Sequence, residues 1–274
     1  MLDVVKTRAH PRRTVLNRVA AIPAVGYLLL LCWQNGWLPK PRGNATVLLS
    51  DGRLLQCRLA DRTQRTMYLG LFEPRETRLL DKLLDPEDTV IDVGAHIGWF
   101  TTVAARAVGD AGQVVACEPY PFNATMLKYN LAQNNCQNVR VVESALGDRF
   151  GTLTLATAGD SGGVTALDWA RSGRVEVPMT TLDEVAAGLG AVTLIKVDVE
   201  GWEAHVLRGA ARTLAHTKYV LIEINPQALR KAGSSPDEIF CLLRKAGFTN
   251  LVTLAESGFR RLHRTAVSNA LAMR

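Results

Sequence analysis

The run Asp88–Gly98 constrains the fold more strongly than any other stretch of this 274-residue chain. It opens with a short apolar segment of the kind that forms a strand buried on both faces. Gly94 and Gly98 follow, and the residues from Trp99 onward predict a helix that ends at Gly109. A strand, a glycine turn and a helix in this order allow a nucleotide-like ligand to lie against bare backbone.

An acidic residue follows the next apolar run, twenty residues beyond Gly98. In that position Glu118 could accept hydrogen bonds from both ribose hydroxyls of a nucleoside. The turn lacks the middle glycine of the NAD fingerprint, which makes a pyrophosphate in the turn less favourable. A ligand with a ribose and a carboxylate, such as S-adenosylmethionine (SAM), fits better. The alternative is a helix-packing turn in an unrelated α/β protein.

Further apolar runs alternate with helical segments of ten or more residues. This alternation predicts an α/β fold with a doubly wound, mainly parallel sheet. Ligands of such sheets lie at the carboxyl ends of the strands, and acidic residues recur at the predicted ends. These ends are Asp92–Gly94, Glu118, Glu143–Ala145, Asp198–Glu200 and Glu223–Asn225.

Three further elements are predicted from local patterns. Residues Val47–Leu59 are expected to form a β-hairpin, because Asp51-Gly52 is a two-residue turn signal. A second hairpin is expected within Gly151–Arg174, and a helix over Trp202–Leu214.

The excess positive charge lies in residues 1–44, which hold seven Lys or Arg and one Asp. The remaining 230 residues hold 25 basic and 25 acidic side chains, so the body offers no sign of a basic face for nucleic acid. We therefore divide the chain into an N-terminal segment, 1–44, and a catalytic domain, 45–274. The five cysteines are scattered and predict reduced thiols in a cytoplasmic protein.

The N-terminal segment has an apolar centre, Val19–Trp33, with basic residues before it and tryptophans near its end. Four interpretations stay open. A signal peptide lacks a small-residue cleavage site, and a membrane span is marginal because Pro23 and polar residues interrupt the window. A peripheral membrane anchor fits the flanking charges and aromatic residues. A helix that caps the ligand pocket of the domain fits equally well.

Several motifs occur in order between residues 45 and 255, and together they resemble the FkbM family of SAM-dependent methyltransferases. The most specific is Thr193-Leu-Ile-Lys-Val-Asp-Val-Glu-Gly-Trp-Glu. The others are Val90–Phe100, Ala145–Asp148, Tyr68–Glu76, Thr181–Asp183 and Ile222–Asn225.

The resemblance implies a class I methyltransferase (Rossmann-like) fold with a seven-stranded sheet and methyl transfer from SAM, usually to a hydroxyl of a sugar, polyketide or other small molecule. By position, the resemblance implies that Asp92, Gly94 and Gly98 surround the methionine part and that Glu118 holds the ribose. It also implies that Ser144 and Ala145 flank the adenine and that Asp198 and Glu200 face the sulfonium and the substrate. His96 stands where many members have Asn. Because it lies inside the glycine turn, we expect it near the SAM carboxylate or the acceptor.

Methyl transfer to a hydroxyl needs alignment and a group that accepts the proton. The candidates are Asp198, Glu200 and His96, with His205 and Glu223 as further possibilities. The first two are two residues apart, so they share a face if the strand is still extended there. They would then act as a base or form a cation site, although one acid could instead cap the following helix. No set of metal-ligating residues is otherwise predicted.

Lys196 lies in an apolar strand and is expected either to contact substrate or to pair with Glu223 or Asp92 across strands.

Three rival functions compete with methyl transfer to oxygen. Nucleic-acid amino methyltransferases often place (Asn/Asp)-Pro-Pro-(Tyr/Phe) after the fourth strand, whereas the Asn225-Pro226 of this chain comes one strand later. An NAD(P) oxidoreductase is disfavoured by the missing glycine, and a non-catalytic SAM-binding protein stays open. The working hypothesis is an O-methyltransferase of small-molecule, sugar or glycolipid-like acceptors, with peripheral contact to the inner face of a membrane.

Overall fold

The computed structural model describes residues 23–39, 41–157, 164–165, 173–254 and 268–274. Its contacts divide the chain into two compact units, Met1–Pro74 and Arg75–Arg274. The predicted boundary after residue 44 stays a prediction.

The N-terminal unit contains a helix, a hairpin and a second helix. These are α1 (Pro23–Gln34), β1 (Asn44–Leu48), β2 (Leu54–Arg58) and α2 (Arg62–Tyr68). The hairpin is confirmed, but its loop has three residues because the amide of Leu49 still donates to the carbonyl of Arg53 at 2.8 Å. Gly52 takes the left-handed conformation at φ 85° that such a loop requires.

In the described part of the chain, no helix is long and apolar enough to cross a membrane. Helix α1 has 12 residues, whereas a span needs about 20.

The second unit alternates strands and helices, as predicted. Its elements are α3 (Pro74–Leu83), β3 (Thr89–Val93), α4 (Trp99–Val108), β4 (Gln113–Cys117), α5 (Pro121–Gln133), β5 (Val139–Val142), β6 (Ala145–Leu146), β7 (Gly151–Thr157), β8 (Val164–Thr165), β9 (Gly173–Thr180), α6 (Leu182–Val185), β10 (Val192–Val197), α7 (Glu203–Arg208), α8 (Ala211–Ala215), β11 (Thr217–Ile224), α9 (Pro226–Lys231), α10 (Pro236–Lys245), β12 (Asn250–Leu254) and β13 (Ser268–Met273).

The main sheet has seven strands in the order β12-β13-β11-β10-β3-β4-β5. Strands β11, β10, β3, β4 and β5 are parallel, and β13 runs antiparallel to both of its neighbours. The predicted doubly wound, mainly parallel sheet of the class I methyltransferase type is confirmed. Every residue of β3 is buried, as expected for a central strand covered on both faces. The chain order reverses between β3 and β10, and ligands of such sheets bind at this switch point.

A smaller sheet has the order β6-β9-β7-β8. Strands β7 and β8 pair antiparallel, Ala156 with Thr165 and Thr157 with Val164, as expected for the second hairpin. Strand β7 also pairs antiparallel with β9. The predicted loop around residues 159–163 lies outside the described residues.

Two features differ from the sequence prediction. The helix expected over Trp202–Leu214 is two short helices, because α7 ends at Gly209. A side chain there would place its Cβ 2.0 Å from the carbonyl oxygen of Gly147, so the two backbones approach closely. Strand β13 had not been predicted, although it completes the sheet.

Candidate functional site

The glycine turn after β3 is built from backbone contacts. The amides of Gly94 and Ala95 both donate to the carbonyl oxygen of Cys117, at 2.9 and 3.0 Å. Gly94 has φ 85°, and a Cβ on it would lie 1.9 Å from the carbonyl oxygen of Asp198. The end of β10 thus presses directly against this turn, and only glycine fits between them.

His96 and Glu118 meet beside this turn. The backbone amide of His96, which has φ 52°, donates to Oε2 of Glu118 at 2.9 Å. Oε1 of Glu118 accepts from the amide of Tyr120 at 2.9 Å. Burial nevertheless raises the pKa of Glu118 to about 7, because the desolvation outweighs these hydrogen bonds. The predicted ribose-binding acid therefore lies against the turn that carries His96.

Asp92 lies on β3, two residues before Gly94. The side chain is buried, and its Oδ2 accepts from the hydroxyl of Thr101 at 2.6 Å. Its Oδ1 has no hydrogen-bond partner among the described residues. Burial raises the pKa of Asp92, while the nearby charge of Lys196 acts in the opposite direction.

Lys196 pairs with Asp198, a partner that was not among those predicted. Its Nζ lies 2.9 Å from Oδ2 of Asp198 and 4.5 Å from the ring centroid of Phe100. The lysine side chain is 6% exposed and the aspartate side chain 22%. Asp198 therefore has one oxygen held by a buried cation while part of the carboxylate reaches solvent.

The chain turns directly after Asp198. Strand β10 ends at Val197, and Glu200 is exposed and left-handed, with φ 55°. A shared face for Asp198 and Glu200 required an extended strand through both residues. The strand ends before either of them, so this condition is not met. Both lie on one short turn at the carboxyl end of β10.

Glu203 is a residue that sequence reasoning had given no role. It is 0% exposed, and its Oε1 accepts from the amides of Val199 at 3.2 Å and Gly201 at 3.0 Å. Burial raises its pKa to about 7, and the charge of Asp198 acts in the same direction. The sequence contained one indication of this burial. Glu203 is followed by the apolar residues Ala204 and Val206, so it begins the helix on a buried face.

The remaining predicted site residues occupy nearby strand ends or turns. The hydroxyl of Ser144, which precedes Ala145 and β6, donates to the carbonyl oxygen of Pro178 at 2.9 Å. Gly98 has φ 93° and lies at the start of α4. The ring of His205 stacks on Trp202 with 3.7 Å between centroids, which favours the packing role over catalysis.

Within the described ranges, no group of three or more His, Cys, Asp or Glu side chains is placed to hold a metal ion.

The comparisons with known proteins now identify the family. Residues 92–249 match the Methyltransferase FkbM domain family. The chain belongs to the FkbM methyltransferase family. It is 25% identical over 177 residues to the 2-O-methyltransferase NoeI of Sinorhizobium fredii, across 56% of this chain and 69% of that protein.

Two solved structures illustrate the likeness. A methyltransferase FkbM from Methylobacillus flagellatus is 15% identical, covering 77% of this chain and 54% of that chain with a TM-score of 0.47. A SAM-dependent O-methyltransferase from Thermotoga maritima is 14% identical, covering 88% of this chain and 80% of that chain with a TM-score of 0.48.

SAM is the cofactor of this FkbM methyltransferase, and the site fits it. The side chain of Asn123 is buried beside Glu118, with 3.4 Å between its Nδ2 and Oε1 of the acid. Its Oδ1 has no hydrogen-bond partner in the described part of the chain, so it could accept from a hydroxyl-bearing ligand.

Proposed function

We propose that this FkbM methyltransferase transfers the methyl group of SAM to a hydroxyl of a small-molecule or carbohydrate acceptor. The observation that carries the proposal is the partly exposed carboxylate of Asp198. One of its oxygens is held by Lys196, and the backbone carbonyl of Asp198 lies against the glycine turn at the switch point of the sheet. The 2-O-methyltransferase NoeI, a relative at 25% identity, supports oxygen as the acceptor atom.

The bound cofactor supplies a methyl carbon activated by sulfonium. The residues of this chain then have three tasks. Glu118 and Asn123 hold the ribose, the turn at Gly94 and His96 holds the methionine part, and Ser144 with Ala145 flanks the adenine. Holding both reactants in line contributes on the order of 7–11 kcal/mol of the barrier reduction.

Asp198 would accept the proton of the acceptor hydroxyl while the carbon–sulfur bond of the cofactor breaks and the new carbon–oxygen bond forms, with S-adenosylhomocysteine as the leaving group. Lys196 fixes the orientation of that carboxylate and balances its charge. Glu200, exposed on the same turn, contacts the acceptor, and His96 lines the opening. A general base of this kind adds on the order of 10²–10⁴-fold to the rate.

The first experiment is calorimetric titration of the full chain with SAM and, separately, with NAD. We expect micromolar binding of SAM and none of NAD. The second is transfer of a labelled methyl group to a panel of saccharides and matched amino sugars, with Asp198→Asn as the control variant. Label on oxygen that is lost in D198N supports the proposal. Binding of NAD alone, or label found only on nitrogen, would overturn it.

We also propose that residues 1–44 contact a membrane surface peripherally. Trp37 is 70% exposed and Leu28 is 57% exposed, although both are large and apolar. Five basic residues precede α1 in the sequence, and they complement anionic lipid. Such a contact would bring the enzyme to lipid-linked or amphiphilic acceptors at the membrane surface.

Cosedimentation of the full chain with vesicles tests this contact. We expect binding to phosphatidylcholine vesicles that contain phosphatidylglycerol, weaker binding at high salt, and a loss in the double variant R12E/R13E. The matched control is R244E/K245E, which reverses an exposed basic pair on α10. Equal binding of both variants would argue against the proposal, as would no binding by the unchanged protein.

A further inference from the structure

The turn that follows β10 has an unfavourable backbone. Glu200 and Gly201 are consecutive left-handed residues, with φ 55° and 105°. A non-glycine residue adopts such a φ only where its surroundings impose it. Something outside the local sequence preference must therefore hold this turn.

Glu203 supplies that support from the first turn of α7. One carboxylate oxygen accepts from the amides of Val199 and Gly201, on either side of Glu200. The other oxygen, Oε2, is buried with no hydrogen-bond partner among the described residues. An ordinary helix-capping acid would leave that oxygen in water. Glu203 instead keeps it buried in order to reach two amides of the turn.

The turn is also confined on both sides. The carbonyl oxygen of Asp198 lies where a side chain on Gly94 would be, and the amide of Asp198 donates to the carbonyl of Val93 at 3.0 Å. On the other side, a Cβ on Gly201 would lie 2.8 Å from the backbone of Ala228. Because of this confinement, a change in the turn is transmitted both to Asp198 and to the glycine turn after β3.

We propose that Glu203 is a positioning residue, which clamps the turn so that Asp198 and Glu200 face the cofactor and the acceptor. The proposal rests on the proposed function, because it assigns Glu203 a role only through those two residues. Glu203 itself is fully buried and touches neither reactant.

Three variants separate positioning from general stability. Glu203→Ala removes the clamp, whereas Glu203→Gln keeps an oxygen that can accept from both amides. Asp183→Ala is the matched control, because the carboxylate of Asp183 also accepts from two amides, those of Arg212 at 3.0 Å and Thr213 at 2.7 Å. That clamp lies near the amino ends of β10 and β11, away from the candidate site. If E203A does not fold, Glu203→Asp takes its place in the comparison, because the shorter side chain brings its carboxylate less far toward the two amides.

The measurements are amide hydrogen exchange at residues 199–201 and the affinity for SAM in the full chain. We expect E203A to exchange these amides at least about tenfold faster and to bind SAM at least about tenfold more weakly. E203Q should stay within about threefold of the unchanged protein in both readouts. D183A should lower the unfolding midpoint and leave the SAM affinity within about twofold.

Two results would overturn the proposal. One is unchanged SAM affinity in E203A together with fast exchange, which would make the clamp purely structural. The other is an equal loss of affinity in E203A and D183A, which would reflect general destabilisation. If the unchanged protein binds no SAM, the proposed function fails, while slow exchange at residues 199–201 that depends on Glu203 would still demonstrate the clamp.

Discussion

Lys196 Nζ lies 2.9 Å from the carboxylate of Asp198, and both residues belong to the carboxyl end of β10. In the parallel register Lys196 is also the partner of Asp92 on β3. One buried cation therefore lies between the acid on β3 and the acid at the opening of the site. The charge of Lys196 favours the ionised form of Asp92, whose pKa burial raises.

Replacing this cation should destabilise the protein. Lys196→Met leaves the charge of Asp198 without its partner, and we expect a loss on the order of 3 kcal/mol in the free energy of unfolding. The double variant K196M/D198N should lose less than the sum of the two single variants, since it removes both charges. Urea denaturation of the three variants gives the coupling energy. Additive losses would show that the pair makes no net contribution.

Much of this arrangement follows from sequence pattern. The apolar run before Gly94 and the helix from Trp99 were predicted with nearly the observed ends, because strand burial and helix boundaries are local signals. The alternation of such units then specified the doubly wound sheet. Strand β13 escaped prediction because Ser268–Met273 shows neither strict alternation nor a long apolar run, and its place is set by the gap between β11 and β12.

The partners inside the site are less accessible to sequence reasoning. Lys196 was expected to contact substrate or to pair across strands with Glu223 or Asp92, and its ion pair with Asp198, two residues further along the chain, was not predicted. Glu203 has the position of an ordinary acid in the first turn of a helix, and only tertiary packing shows that its carboxylate is buried. Asn123 lies on α5, and nothing in its neighbours indicates that it approaches Glu118.

Gly94 should tolerate no side chain. Gly94→Ala combines a positive φ with a Cβ 1.9 Å from the carbonyl oxygen of Asp198, so the end of β10 must move. We expect a loss of SAM binding and a destabilisation of more than about 2 kcal/mol. Gly109→Ala is the control, because its φ is 68° and nothing lies within 4 Å of the added carbon. It should cost about 1 kcal/mol and leave SAM binding intact. If calorimetry and denaturation showed the same losses for both variants, the contact between Gly94 and the carbonyl of Asp198 would not explain them.

SAM affinity should depend on the ionisation of Glu118. Its pKa is raised to about 7, and hydroxyl donors of a bound ribose favour the ionised form. Affinity should therefore increase from pH 6 to pH 8. Glu118→Gln should bind about tenfold more weakly at pH 8, because a charge-assisted hydrogen bond is lost, and should show a flatter pH profile. Calorimetry across this range tests both statements, and a pH-independent affinity in the unchanged protein would rule out this role.

The stability of the protein should fall as pH rises from 5.5 to 8. Burial raises the pKa values of Glu118 and Glu203 from 4.5 to about 7. Between the unfolded-state pKa of 4.5 and the folded-state pKa of about 7, the folded state holds protons that the unfolded state has lost. Raising the pH therefore favours unfolding. The full shift corresponds to on the order of 3 kcal/mol for each carboxyl group.

Chemical denaturation at pH 5.5 and pH 8 measures this difference. The lower limit is chosen because the pKa values of Asp183 and Glu238 are lowered, so their contributions change only at more acidic pH. Glu203→Gln should remove the contribution of Glu203 to the pH dependence, since the neutral amide has no proton to lose. A free energy of unfolding that increases toward pH 8 would show that other groups determine the balance. Among the described residues, the hydrogen bonds of the Glu203 carboxylate come from backbone amides of the turn. The part of the pH dependence that Glu203 controls should therefore be unchanged when SAM is bound, whereas the part due to Glu118 should disappear.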